Sequence, residues 1–263
     1  MPLLNTSSCP TITIYTYKEV YNRLNHVNPH TLILFDIDDT ITSSPDILAR
    51  ANYFPWWFRI CLLLRFPQFM HMDIWEKIFS YMWQQAPRTL IEPQIPEIIA
   101  ALQCQGSSVL GFTRIKTGPY GAIEDFPAWR VQLLQQMGIT FTQTYGDHCF
   151  KHLKPYRHTY PMLYQGLLCT NQQDKGPVFA ALLNYLPFMP KHIIYFDDHY
   201  ASLQQLGKIC QKQHLPCTLY HYRAVELLPG KWSTKRALKQ FEWLVKYQRW
   251  MNDEEVDRLL TQS

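Results

Sequence analysis

The segment Phe35-Asp36-Ile37-Asp38-Asp39-Thr40 places three carboxylates and a hydroxyl side by side, directly after the apolar run Thr31-Leu32-Ile33-Leu34-Phe35. Like charges this close repel, and burial raises their cost. Such a cluster is sustained only by water, a metal ion or shifted proton affinities. In a chain that is 47% hydrophobic and 17% charged it stands out, and it reads as an active site. Two plainer readings compete. Asp and Thr after a strand often cap the helix that follows, satisfying its free N–H groups. An EF-hand calcium loop also begins Asp-x-Asp, but it needs Gly at its sixth position and Glu at its twelfth. Counted from Asp36 those positions hold Ile41 and Ile47, and a strand precedes, so the calcium loop is rejected.

The surrounding pattern supplies elements that would position this cluster. A second apolar run, Ser108-Val109-Leu110-Gly111-Phe112, ends at Thr113-Arg114, and a third, Ile193-Ile194-Tyr195-Phe196, ends at Asp197-Asp198. Residues 217–222 form a fourth. Helices are predicted over 17–26, 95–102 with Gly106 beyond its end, 129–137 closed by Gly138, 175–186 opened by Lys175-Gly176-Pro177, and 200–212. A hairpin is expected over 160–170, and Asn252 with Glu255 forms a capping box for a last helix. Apolar strands alternating with helices predict an α/β fold with a parallel sheet. The polar residues gather at strand C-termini, the edge where open α/β sheets bind ligands. There is no internal repeat or linker, so 1–263 reads as one domain, with a helical, aromatic-rich insertion over 43–92.

Composition excludes several classes. The 263 residues suffice for a large core, and a net charge of +4 is mild. Lys231, Lys235, Arg236, Lys239, Lys246 and Arg249 read as a solvated helix face rather than a nucleic-acid stripe. Seven scattered cysteines without a C-x-x-C pair argue against a disulfide framework or a structural zinc site and favour a reducing compartment. Cys217 and Arg223 have the C-x5-R spacing of a cysteine-dependent phosphatase, but the intervening Thr-Leu-Tyr-His-Tyr reads as a strand and not as a phosphate-cradling loop. The first sixteen residues lack a basic start followed by an apolar run, so no signal peptide is expected. The lipophilic stretch 53–70 is interrupted by Pro55, Arg59, Arg65 and Pro67, so no transmembrane segment is expected either.

The order of these parts resembles the haloacid dehalogenase (HAD) superfamily over roughly residues 31–222. Its motifs, Asp-x-Asp-x-Thr, a Thr or Ser after a strand, a Lys, and an acidic pair after a strand, fall on Asp36-Ile37-Asp38-Asp39-Thr40, Thr113, Lys175 and Asp197-Asp198. The resemblance implies a Rossmann-like parallel sheet flanked by helices, a helical cap after the first strand, and a Mg²⁺-dependent phosphatase that forms an aspartyl-phosphate. Asp36 would be the nucleophile and Asp38 the acid and base. Thr113 would hydrogen-bond a phosphoryl oxygen, and Lys175 would neutralise Asp36 and the transferring group. Mg²⁺ would be held by the Asp36 carboxylate, the Asp38 carbonyl and Asp197, with Asp198 directly or through water. Taken alone, Thr113 reads equally as a turn residue and Lys175 as a surface lysine. Arg114 is either a further phosphate contact or a solvated loop arginine.

Residues 113–114, 137–139, the stretch before Lys175 and 252–255 are also similar to a little-characterised branch from intracellular bacterial pathogens. That branch includes effector protein-tyrosine phosphatases and members labelled outer-membrane proteins. A cytoplasmic protein, or one exported into a host cell without a cleaved signal peptide, is then expected, acting on a phosphoprotein or a small phosphomonoester. Trp56, Trp57, Phe58, Phe66, Phe69, Trp75, Phe79, Tyr81 and Trp83 of the insertion would line an aromatic substrate pocket, touch a membrane surface, or pack the cap onto the core. The rival from another class is a non-catalytic binding module on the same scaffold that recruits a host protein or a membrane.

Overall fold

The run Thr31–Phe35 is buried from end to end, and its alternation decides the layering. Leu32 and Leu34 pack into one core, while Ile33 and Phe35 pack into a second on the opposite face. A strand's two-residue period requires this division. The computed structural model describes residues 9–24, 27, 29–50 and 55–262.

Among these, the chain runs β1 (Thr11–Ile14), α1 (Tyr21–Leu24), β2 (Thr31–Phe35), β3 (Thr42–Ser43), α2 (Trp56–Arg65), α3 (Met72–Gln85), β4 (Thr89–Leu90), α4 (Ile95–Cys104) and β5 (Ser108–Thr113). It continues through α5 (Phe126–Gln136), β6 (His148–Cys149), β7 (Met162–Tyr164), β8 (Leu167–Cys169), α6 (Lys175–Tyr185), β9 (His192–Asp197), α7 (Tyr200–Lys212), β10 (Cys217–Tyr222), α8 (Thr234–Tyr247) and α9 (Asp253–Thr261). Eight strands form one sheet in the order β1-β10-β9-β2-β5-β8-β7-β6. Pairing is parallel from β1 to β8 and antiparallel only at β8-β7-β6. Helices α4 and α5 cover one face, and α6 and α7 cover the other. The chain is therefore an α/β protein with a mostly parallel, Rossmann-like sheet.

Several boundaries differ from those expected. Strand β1 precedes the one read as first, so the insertion follows the second strand; β1 has only four residues and a half-exposed edge position, which leave little apolar signal. The helix expected over 17–26 is a 3-10 turn at Tyr17–Glu19 followed by the single turn α1, with residues 25 and 26 outside the described set. Helix α5 starts at Phe126 because the Asp125 side chain accepts from the Ala128 N–H and Pro127 suits the first turn. The cysteine reading is corrected at one pair: Cys9 and Cys217 are disulfide-bonded, and the other five are free. Their separation of 208 residues hides the adjacency of β1 and β10 in the sheet.

The insertion is pinched at its base by β3 and β4, which pair Thr42 with Leu90 and Ser43 with Thr89. Two short helices cannot bury their own aromatic faces, and α8 completes their core. Phe241 of α8 lies 5.2 to 6.2 Å, centre to centre, from Phe66, Phe69, Trp75 and Phe79. Phe58, Leu62, Ile78 and Met82 join the same cluster. The packing reading thus holds for most of these aromatics. No described helix is long and apolar enough to cross a membrane.

Candidate active site

Extending the strand alternation past the sheet edge builds the site. Asp36 continues the column Leu32, Leu34, and Asp197 continues the column Ile193, Tyr195, both on the face covered by α6 and α7. Register sets Phe35 opposite Phe196, and the Asp36 N–H donates to the Phe196 carbonyl at 2.9 Å. The two carboxylates therefore emerge side by side. Facing them is Lys175, the first residue of α6, whose side chain is 2% exposed. Its Nζ donates to Asp36 Oδ1 at 2.6 Å, Asp197 Oδ2 at 2.7 Å and the Tyr195 hydroxyl at 2.8 Å. The surface-lysine reading of Lys175 is overturned. Tyr195 also donates to Asp197, and the His199 N–H donates to Asp197 Oδ1 at 2.7 Å.

The loop after β2 is a tight turn. Asp39 adopts a φ of 60°, and its side chain accepts from the Ser43 hydroxyl at 2.7 Å, a structural role. Thr40 Oγ1 accepts from the Asp198 N–H at 3.1 Å and lies 3.5 Å from Asp36 Oδ2, tying this loop to the one after β9. Asp38 turns toward two buried guanidinium groups: Arg88 Nη1 and Arg130 Nη1 each lie 3.2 Å from Asp38 Oδ1. The Trp83 ring stacks with both, 4.0 Å from Arg88 and 4.6 Å from Arg130. This clamp was not foreseen. Its one sequence signal is Arg130, a charged residue on the buried side of α5 beside Phe126, Val131 and Leu134; Arg88, between Pro87 and β4, carries none.

Thr113 is buried at the tip of β5, and Arg114, half exposed, faces Asp174 at 3.8 Å. Asp36, Asp38, Thr113, Arg114, Lys175, Asp197 and Asp198 all line one cavity of about 500 Å³. Trp75, Phe79 and Trp83 of α3 line it too, as do Tyr120 and Phe126. Lys116 joins the cap to the sheet edge by an ion pair with buried Glu76. A larger cleft of about 890 Å³ opens beside Ser108, at the opposite end of the strands, and contains no carboxylate, lysine or arginine.

Asp36, Asp197 and Asp198 each offer an oxygen, all within 4.8 Å of one another. One lysine does not balance three carboxylates. Burial pushes Asp36 up to about 8, with Lys175 opposing and Asp197 and Asp38 adding to the rise. Asp198 is raised well above the carboxylate range by burial and then by Asp36 and Asp197. Burial disfavours the Lys175 charge, yet Asp197 and Asp36 hold that group above the ordinary lysine value. Hard oxygen donors with surplus negative charge suit a divalent cation of the Mg²⁺ type.

The chain belongs to the DUF2608 family, described as a protein of unknown function. That family matches residues 13–257. An uncharacterized protein of Rickettsia prowazekii is 23% identical over 246 residues, covering 92% of this chain and 87% of the relative. A protein of Chlamydia trachomatis named "Putative outer membrane protein" is 21% identical over 231 residues, covering 87% of this chain and 82% of its own length. One of the same name from Chlamydia muridarum is 23% identical over 235 residues, with 86% and 82% covered. No solved structure matches the chain.

Proposed function

We propose that this DUF2608 protein is a HAD-type, Mg²⁺-dependent phosphatase that hydrolyses phosphomonoesters through an aspartyl-phosphate at Asp36. The observation that carries the reading is the contact of buried Lys175 with both Asp36 and Asp197 at the floor of a cavity that also holds Asp38 and Thr113. A binding scaffold has no need of a desolvated lysine between two carboxylates, since an apolar substitute is usually as stable.

The residues divide the work. Asp36 attacks phosphorus, the bond from phosphorus to the ester oxygen breaks, and that oxygen takes a proton from Asp38. Asp38, now a carboxylate, removes a proton from water, which attacks the phosphorus and frees Asp36 and inorganic phosphate. Lys175 keeps Asp36 aimed and offsets charge on the transferring group, and Thr113 supplies a hydroxyl to it. Asp36, the Asp38 carbonyl, Asp197 and Asp198 would hold Mg²⁺, which when bound would neutralise charge on the phosphoryl oxygens. Arg88 and Arg130 fix Asp38 in place, and to carry a proton Asp38 has to give up one of those bonds. The rings of Trp75, Phe79 and Trp83 beside the carboxylates favour an aryl leaving group, a phosphotyrosine side chain included.

Hydrolysis of a generic aryl phosphate tests the reading. Turnover is expected with Mg²⁺, is lost in EDTA, and falls by at least a thousandfold in Asp36→Asn. Turnover that survives chelation or the Asp36→Asn change contradicts it.

A further inference from the structure

Helix α2 is apolar on two sides. Its inner side, with Phe58 and Leu62, closes the cap core. On its outer side Trp56, Ile60 and Leu64 recur at four-residue spacing, and Trp56 and Leu64 are 76% and 78% exposed. Met70, in the 3-10 turn that follows, is 78% exposed. A helix that is hydrophobic all round is normally enclosed on every side, and here no described residue covers the outer stripe.

Exposed cations border the stripe on one side. Between Asp46 and Asp73 the sequence contains no Asp or Glu, and Arg59 leans over the Trp75 ring at 5.4 Å, toward the carboxylate cavity. Arg65 is paired with Glu242. Trp57, at the margin of the stripe, packs edge-on against Trp232 at 6.0 Å, and that residue is bracketed by the exposed Lys231 and Lys235. Trp56, Ile60, Leu64 and Met70 line neither of the two large cavities. Tryptophan and long aliphatic chains on such a stripe, with cations at its border, are the chemistry of a helix lying in the plane of a lipid–water interface.

We infer that the outer face of α2, with Met70, docks on an anionic lipid bilayer. Trp56, Ile60, Leu64 and Met70 enter the acyl boundary, and Lys231 and Lys235 meet the headgroups. The inference does not depend on the phosphatase reading, because none of the four inserting side chains lines the carboxylate cavity.

The test is co-sedimentation of the full chain with vesicles of phosphatidylcholine alone or mixed with phosphatidylserine, at low and high salt. Binding is expected to the mixed vesicles, weaker with added salt and much weaker to neutral ones. Lys231→Gln and Lys235→Gln should each lower the partition coefficient roughly fivefold. Trp56→Ser and Leu64→Ser should each lower it on the order of tenfold, since each forfeits the transfer of a large apolar side chain. Both positions are exposed, so an unchanged unfolding midpoint separates lost docking from misfolding. The inference is overturned if the wild-type chain ignores both vesicle types, or if the Ser variants bind as well as it does. It is also overturned if sedimentation velocity shows a dimer that the Ser variants abolish, because a second copy then covers the stripe.

Discussion

Replacing Lys175 with Met keeps the volume of the side chain and removes its charge from the centre of the site. Three hydrogen bonds of 2.6, 2.7 and 2.8 Å disappear, and Asp36 and Asp197 lose their shared counter-ion. Breaking a buried ion pair from one side costs about 3–5 kcal/mol. Asp36, already pushed up to about 8, takes a proton more readily once the lysine is gone, which relieves part of the charge and favours the lower end, about 3 kcal/mol. For a chain of this length each kcal/mol lowers the unfolding midpoint by about 2–4 °C, so a fall of roughly 10 °C is expected in EDTA. Added Mg²⁺ should restore much of it, because a divalent cation replaces the missing positive charge between the carboxylates. Aryl phosphate turnover should not return, because Lys175 also serves the transferring group. Paired thermal melts in EDTA and Mg²⁺ read both parts. A Lys175→Met protein that melts within about a degree of wild type in EDTA, or that retains full turnover, would show that the buried contacts do not exist as described.

Other outcomes follow from the same geometry. A carboxyl raised in the folded state stabilises fully below its unfolded value of about 4, and that contribution is lost as pH rises through about 8. The metal-free protein should therefore melt progressively lower from about pH 5 to pH 9, while the Mg²⁺-induced rise in midpoint grows over the same interval. Asp36→Asn should flatten both trends in a series of melts. Arg130→Gln leaves Asp38 with Arg88 alone; losing a charge-assisted contact in a buried site should cost about 2 kcal/mol and lower kcat about tenfold or more, with Arg130→Lys recovering part of each in steady-state assays. Gly121 holds a φ of 59°, and a Cβ there would strike the Glu76 carbonyl and the Ser80 hydroxyl of α3. Gly121→Ala should lower stability by about 2 kcal/mol or more in denaturant titration, by forcing the cap helix off the loop beneath it.

The central strands and the carboxylates at their tips were legible because their signals are local, whereas Thr113 and Lys175 are unremarkable alone and are named only through the order of motifs in the resemblance. An apolar run ending in carboxylates announces a buried strand and its tip; that Asp36 and Asp197 share a face follows from the register that sets Phe35 opposite Phe196. What stayed hidden depends on contacts between distant segments. The Arg88–Asp38–Arg130 clamp joins the connection before β4, the loop after β2 and the middle of α5, none of which marks an arginine as functional. The Cys9–Cys217 bond exists because β1 pairs with β10, and β1 is too short and too exposed to be read as a strand. The aromatic insertion could be read as packing, pocket or membrane contact because one composition serves all three. Its division became visible only when Phe241 of α8 claimed Phe66 and Phe69, Trp83 turned to the cavity, and Trp56 was left outside.

The nucleophile can be tested by trapping it. The full chain is mixed with a radiolabelled small phosphoryl donor and Mg²⁺, quenched in acid within a turnover, and digested. Covalent label that hydroxylamine releases, confined to the peptide that carries Asp36 and absent from Asp36→Asn, is the expected result. Label on another residue, or rapid turnover with no trapped acyl phosphate at any quench time, would contradict an aspartyl-phosphate at Asp36.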